Sequence, residues 1–317
     1  MRAITYEAYG TPSVLSLQEV DLPVIGASDV LVRVHAASVN SWDRDNLTGT
    51  FPTRAMLGWR KPKIAALGGD IAGRISAVGS AVTRFKVGDE VLCDLSGSGW
   101  GAFAEYARVP EQILTTKPAA LSFSAAAALP QAAVIALQGI RDHGQVQAGE
   151  RVLINGAGGG VGSFAVQLAK LRGAEVTGVD SEAKLALVST LGADHVLDYR
   201  VTDYTQTDQR YDFVLDCELH RSPLAVRRVL TPKGRLTVAG GSLARILQTF
   251  VLRSLTSKKL DVLMHEANKN LAELAELAAD GRIRAAIERE YTLEETPLAM
   301  QRMCDGEVLG KAVIVMP

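Results

Sequence analysis

The residues with the clearest chemical meaning are Ala157, Gly158, Gly159, Gly160, Val161 and Gly162, set between the apolar run VLIN and the amphipathic stretch SFAVQLAK. Residues without a Cβ let a backbone approach a pyrophosphate, and a helix that follows offers unpaired N–H groups and a positive dipole end to the anion. A glycine turn also serves without any ligand, but here an apolar strand precedes it, a helix follows, and a second strand, EVTGVD, ends at Asp180. That order predicts a dinucleotide site. The second strand runs into Asp180, Ser181 and Lys184. An acid about 20 residues beyond the turn suits the ribose 2′-hydroxyl of NAD, whereas a hydroxyl and a cation close together suit the 2′-phosphate of NADP. In a third reading Ser181 caps the next helix and Lys184 is solvated. The residues alone leave all three open.

Metal chemistry finds little support. Catalytic zinc takes three protein ligands and a structural zinc four closely spaced cysteines, but Cys93, Cys217 and Cys304 are scattered. His35, His143, His195, His220 and His265 fall in no HExxH or similar spacing. No metal is expected, and each histidine is expected to be structural or solvated.

The elements that must position the turn follow from periodicity. Up to about residue 120 the runs LSLQEV, VLVRVHAASV, GRISAVG, DEVLCDL and FAEYARV alternate with a period of two between Gly, Pro, Asp and Ser, which predicts a β-rich unit. From about Ala125 apolar runs alternate with helical stretches: RVLING, the glycine turn and its helix, EVTGVD, SEAKLALVSTLGA, HVLDY, YDFVLDC, RSPLAVRRVL and GRLTVAG. This order predicts βαβ units on a parallel sheet. After Gly241 the chain turns helical through LARILQTFVLRSL and HEANKNLAELAELAADGRI and ends in the strand-like KAVIVMP, which is expected to rejoin the first domain because a lone strand needs a sheet. The expected division is 1–122, 123–255, and 256–317 returning to the first domain. No internal repeat or low-complexity tract is evident.

Composition narrows the function classes. The 317 residues are 47% hydrophobic and 22% charged, as in a globular chain of two domains. Lys and Arg number 34 against 35 Asp and Glu, a net charge of −1, so no basic field exists to hold nucleic acid. Three unclustered cysteines fit a reducing compartment, no export signal opens the chain, and a cytoplasmic location is expected. The longest uncharged stretch, Leu121 to Ile140, contains Pro130, Gln131 and Gln138 and reads as buried alanine-rich helix interrupted at Pro130, so no membrane span is expected.

Taken together, YGTPSVLSLQEVDLP, VHAASVNSWDRDNLTG, GGDIAGRISAVGSAVTRFKVGDEV, GAFAEYARVP, LSFSAAAALPQAAVIALQGI, the glycine turn, LGADHVLDY and GKAVIVMP make nearly the whole chain resemble the zinc-independent quinone oxidoreductase branch of the medium-chain dehydrogenase/reductase superfamily. The resemblance implies an α/β protein: a GroES-like β-rich catalytic domain plus a Rossmann domain with a doubly wound parallel sheet. It implies a homodimer and a small-molecule quinone or enone as substrate. In zinc-dependent members a cysteine stands where this chain has Asn40, and a His-Glu pair where it has Gly69 and Asp70. Without zinc to stabilise an alkoxide, alcohol oxidation is harder, whereas hydride transfer to a quinone or an enone β-carbon needs mainly positioning.

The resemblance also assigns residues. It places substrate and cofactor beside Asn40, Trp42 and Asp43, with Asn40 bonding the nicotinamide ribose or a substrate carbonyl and Trp42 forming an apolar wall; alternatively, Asn40 and Asp43 bond their own loop. Members that use NADPH carry a lysine at Lys184, a tyrosine at Tyr199 and a small or hydroxyl residue near Ser181, which favours NADP (NADPH). Asp180 departs from that pattern and keeps NAD in play. Gly240 and Gly241 lie where the backbone approaches the nicotinamide, or form a plain strand-ending turn. The loops Trp42–Lys63 and Leu243–Met264 are expected to form the substrate pocket. Within the second, Arg245, Arg253, Lys258 and Lys259 intersperse an apolar run that reads as a pocket wall, a dimer contact, a membrane-surface helix or a helix packed on the core. Competing functions are a metal-free alcohol or aldehyde oxidoreductase, which needs a proton relay not identified in the sequence, and a nucleotide-binding scaffold or redox sensor.

Overall fold

The computed structural model describes residues 1–63, 66–255 and 259–316. The chain forms two compact units, Met1–Gln131 with Ala267–Pro317, and Ala132–Glu266. These bounds fall later in the chain than the divisions at 122/123 and 255/256 expected from the sequence pattern.

The first unit begins with β1 (Arg2–Thr5) and β2 (Ser16–Glu19), an antiparallel pair. Its spine is β3 (Asp29–Ser38), ten residues whose inward positions Val30, Val32 and Val34 are buried. The pocket loop expected at 42–63 instead carries two short helices, α1 (Ser41–Thr48) and α2 (Phe51–Leu57). The polar sequence of α1 shows no apolar stripe, and α2, set off by Gly49, is only seven residues long, too short for a helical period to be read. The strands β4 (Asp70–Val78), β5 (Glu90–Asp94), β6 (Tyr106–Pro110) and β7 (Thr115–Thr116) follow, and α3 (Phe123–Ala127) packs against β3 and β4. The alanine-rich stretch breaks where expected, since α4 (Pro130–Leu137) restarts on Pro130, whose missing N–H costs nothing in a first turn.

Up to Val238 the second unit follows the alternation its sequence predicts. It contains β8 (Arg151–Asn155), α5 (Gly160–Leu171), β9 (Glu175–Asp180), α6 (Glu182–Thr190), β10 (His195–Asp198), β11 (Tyr211–Asp216), α7 (Pro223–Arg228), β12 (Leu230–Val238), α8 (Leu243–Arg253) and β13 (Lys259–Val262). The strands are parallel in the order β10-β9-β8-β11-β12-β13. Near-continuous burial along β8 and β11 is what a parallel sheet covered on both faces requires. The order reverses between β8 and β11, the switch point beyond whose strand ends a doubly wound sheet binds ligands. The 243–264 run is therefore a helix followed by an edge strand, and Lys258 lies outside the described residues. No helix among the described residues is long and apolar enough to cross a membrane.

The chain then returns to the first unit through α9 (Leu271–Ala279), β14 (Ile287–Thr292), α10 (Thr296–Cys304) and β15 (Lys311–Val315). The terminal strand pairs antiparallel with β3 and parallel with β14, completing a sheet in the order β14-β15-β3-β4-β5-β7 with β6 also on β3.

One ion pair fastens the base of the second unit. The Arg235 guanidinium donates to both carboxylate oxygens of Glu150 at 2.9 and 2.7 Å and to the Gly144 carbonyl at 2.6 Å, and it lies 5.6 Å from the Phe213 ring centroid. Arg235→Lys keeps the charge but loses the fork. It is expected to lower unfolding stability by about 2 kcal/mol, read as a lower urea midpoint; an unchanged midpoint would contradict this role.

Candidate functional site

Each unit holds one cluster of the residues singled out by sequence. In the second unit, the turn after β8 is closed by backbone bonds: Gly156 and Ala157 N–H donate to the Val179 carbonyl at 2.9 and 3.1 Å. Gly159 is the N-cap of α5, so the N–H groups of Gly160, Val161 and Gly162 open the helix with no carbonyl four residues back inside it. Residues 159–161 are half-buried, which leaves this end accessible to an anion. A Cβ on Gly162 would lie 2.0 Å from the Gly156 carbonyl oxygen, so helix and turn approach as closely as only glycine allows, and a Cβ on Gly159 would meet nothing nearer than 3.4 Å. This geometry fits a pyrophosphate.

Asp180, Ser181 and Lys184 converge on the same turn. The Asp180 carboxylate accepts from Gly158 N–H and from Ser181 N–H, each at 2.8 Å. Its charge is thereby partly offset while each oxygen retains further acceptor capacity. Ser181 is the N-cap residue of α6, but its hydroxyl makes no capping bond, against the third of the readings above. The stem of Lys184 packs on the turn, its Cβ lying 2.6 Å from where a Cβ of Gly158 would be, and the ammonium makes no ion pair among the described residues. Tyr199 follows β10 and donates its N–H to the Asp180 carbonyl at 3.2 Å. Its ring helps to line a cavity of about 230 Å³ with Asn155, Tyr204, His220 and Arg221.

Asp216 lies behind that cavity, bonded to its lining residue Asn155. It is fully buried at the end of β11 and accepts from Asn155 Nδ2 at 2.7 Å, Leu219 N–H at 2.7 Å and Glu218 N–H at 3.1 Å. Burial raises its carboxyl pKa, and these donors oppose the shift. Sequence reasoning missed these residues; the available signal was their position at the carboxyl ends of parallel strands. Gly240 and Gly241 pack on the same loop, since a Cβ on Gly240 would lie 2.3 Å from the Cys217 carbonyl oxygen.

In the first unit, Asn40 sits between β3 and α1. Its Nδ2 donates to Asp70 Oδ2 at 2.9 Å and to the Ser38 carbonyl at 3.3 Å, and its Oδ1 accepts from Lys311 Nζ. Both amide hydrogens are thus used inside the unit. Asp43 is fully buried and accepts from Asn40 N–H at 2.8 Å and Gly68 N–H at 3.0 Å, so it ties its own loop to the chain before β4. Burial pushes its carboxyl up to about 7, against those two donors. Trp42 is 38% exposed, with its ring 6.5 Å from that of Trp100.

Beneath Asn40, Asp70 also accepts from Ser38 Oγ at 2.9 Å and from Gln131 N–H at 3.1 Å, and Lys311 Nζ lies 3.8 Å away. Burial drives both ionisable groups toward neutrality, Asp70 upward and Lys311 downward, and their mutual attraction opposes it. A zinc ion does not fit this donor set: an amide spent on internal bonds stands at Asn40, and an ammonium occupies the space beside Asp70. Among the described residues no group of three or more His, Cys, Asp or Glu is arranged to hold a metal ion.

The turn geometry has a direct consequence. Gly162→Ala is expected to weaken binding of a nicotinamide dinucleotide by at least about tenfold, because a Cβ at 2.0 Å must push α5 off the turn. Fluorescence titration with the reduced cofactor checks it, and wild-type affinity in the variant would remove the turn from the binding site.

Comparison with known proteins agrees with this architecture. Residues 26–119 match the alcohol dehydrogenase GroES-like domain, and residues 191–314 match the zinc-binding dehydrogenase family. The chain is 33% identical to a chloroplastic quinone-oxidoreductase homolog of Spinacia oleracea, over 99% of this chain and 98% of that one. It is 30% identical to 2-methylene-furan-3-one reductase of Solanum lycopersicum, over 99% of this chain and 79% of the relative. The solved quinone oxidoreductase of Coxiella burnetii superposes with a TM-score of 0.90 at 27% identity, covering 100% of this chain and 99% of the other. With a GroES-like unit, a Rossmann unit and full-length similarity to quinone oxidoreductases, the chain belongs to the quinone oxidoreductase branch of the medium-chain dehydrogenase/reductase superfamily.

Proposed function

We propose that this protein is an NADPH-dependent reductase of quinones or enone-type double bonds that works without a metal ion. The observation that carries the cofactor choice is the cluster at the end of β9: a Lys184 ammonium with no ion pair among the described residues and a Ser181 hydroxyl that makes no capping bond, beside an Asp180 carboxylate already bonded by two backbone N–H groups. A 2′-phosphate is matched by the cation and hydroxyl, and the repulsion expected from Asp180 is reduced by those donors. Tyr199 supports the same assignment from its place beside Asp180.

A bound reduced nicotinamide supplies the hydride. The chain's own contribution is to bind the pyrophosphate on the N-terminus of α5, fix the ribose end at Ser181 and Lys184, and hold the loop from Asn40 to Asp43 rigid through Asp70 and Lys311. The substrate class is supported by the Spinacia quinone-oxidoreductase homolog and the Solanum 2-methylene-furan-3-one reductase, to which the chain is similar over 99% of its length. Metal independence is supported by the engagement of Asn40 and by Gly69 and Asp70 standing where a zinc-dependent member has its His-Glu pair. We assign the protein to a homodimer in a reducing compartment, the cytoplasm, from the resemblance and from three free cysteines.

Lys184→Ala tests the cofactor assignment. It is expected to raise KM for NADPH about tenfold, the loss of one charge-assisted contact, while leaving KM for NADH within about twofold. Equal effects on both cofactors, or none, would return the decision to Asp180 and favour NADH.

A further inference from the structure

We propose that the segment 51–63 of the first unit is a docking surface for a bilayer that carries anionic lipids, with Arg60, Lys61 and Lys63 at the headgroups and Phe51, Met56 and Trp59 in the interface beside them. The docking goes beyond the reductase reading above and does not depend on it. The charge of the segment is one-sided: no Asp or Glu stands between Asp45 and Asp70, whereas Arg54, Arg60, Lys61 and Lys63 do. In a chain of net charge −1 this is a local positive field. Arg60, Lys61 and Lys63 are exposed, and none of them makes an ion pair among the described residues.

The large apolar side chains of the same segment also face outward. Helix α2 fully buries only Thr53, while Phe51, Met56 and Trp59 are 64%, 76% and 61% exposed. Single exposed apolar residues are ordinary, but large ones grouped beside unneutralised cations mark an interaction surface. The rings of Phe51 and Trp59 meet edge to face with centroids 5.8 Å apart, so they form one cluster. Internal bonds hold that cluster in place. Arg54 donates from Nε to the Gly49 carbonyl at 2.7 Å and from Nη1 to the Trp59 carbonyl at 3.1 Å, and its guanidinium lies 4.5 Å from the Tyr9 ring centroid. Tyr9 Oη donates to the Gly58 carbonyl and Lys63 N–H to the Leu57 carbonyl, each at 2.7 Å. Arg54 is therefore spent on the fold, and the turn that carries Trp59 and the other three cations is fixed before a partner arrives.

The cations call for an anionic partner. A second copy docked about a two-fold axis through this face would set the same cations against one another. An anionic bilayer uses every feature at once: Lys and Arg gain from its surface potential, an indole settles at headgroup level, and Phe and Met enter the acyl boundary. Charge and apolar insertion together give the two signals that peripheral attachment needs. Joined with the reductase reading, the docking would present the chain to quinones or enones dissolved in a bilayer.

The test is cosedimentation of the full chain with vesicles of phosphatidylglycerol and phosphatidylcholine in equal parts, against vesicles of phosphatidylcholine alone. Binding is expected to the first and not to the second, and it should weaken as salt is raised. The triple variant Arg60→Gln, Lys61→Gln, Lys63→Gln and the single variant Trp59→Ser should each lower partitioning at least about tenfold. Both should keep the wild-type thermal midpoint, because the altered side chains are exposed. Wild-type tryptophan emission should shift to the blue on anionic vesicles, and Trp59→Phe should lose that shift while still binding. No binding to the anionic vesicles, equal binding to both kinds, binding that the triple variant and Trp59→Ser retain, or a blue shift that survives Trp59→Phe would each overturn the proposal. None of these outcomes touches the reductase reading, which is tested by cofactor oxidation with soluble acceptors.

Discussion

A buried carboxylate must be surrounded by donors or it will not stay ionised, and in the first unit that constraint is concentrated at Asp70. Ser38 Oγ, Asn40 Nδ2 and Gln131 N–H donate to it, and Lys311 Nζ stands 3.8 Å away. These groups come from the end of β3, the loop before α1, the start of α4 and the start of β15. One side chain thus fixes the distance between segments far apart in the chain. The arrangement also explains why the terminal segment must return to the first unit: Lys311, fully buried, bonds the Val39 carbonyl and Asn40 Oδ1, and so closes the network that β15 brings to β3.

The second unit depends on a different constraint, the close contact of a turn and a helix. The Gly162 position leaves no room for a Cβ against the Gly156 carbonyl, and Asp180 draws Gly158 toward the end of β9. Together these aim the first N–H groups of α5 out of the turn and bring Ser181 and Lys184 beside it. The same carboxylate that in a simpler reading would bind a ribose is here partly a structural clamp. Asp216 plays a matching part on β11, where its bonds to Asn155, Glu218 and Leu219 shape the loop that lines the neighbouring cavity.

Much of this was legible in the sequence, for physical reasons that differ by element. The alternation of β3 and the unbroken apolar runs of β8 and β11 announce half-buried and fully buried strands, and the glycine turn announces itself by position between strand and helix. The helix α1 was not legible because Asp43, Arg44, Asp45 and Asn46 give no apolar stripe, and α2 and β13 were hidden because seven and four residues are too short for their periods to stand out. The internal bonding of Asn40 was invisible for a further reason: its partners Asp70 and Lys311 are remote in sequence, and Lys311 reads only as the polar start of a terminal strand.

The central claim is a hydride transfer to a quinone or enone from NADPH without a metal ion. It is tested most directly by following oxidation of NADPH and NADH by the wild-type protein with a benzoquinone, an enone and an aldehyde, in the presence and absence of a strong chelator. Turnover of the quinone or enone that prefers NADPH and is unaffected by the chelator is the predicted result. Turnover abolished by the chelator, or no oxidation with any acceptor by a protein that binds the cofactor, would contradict it.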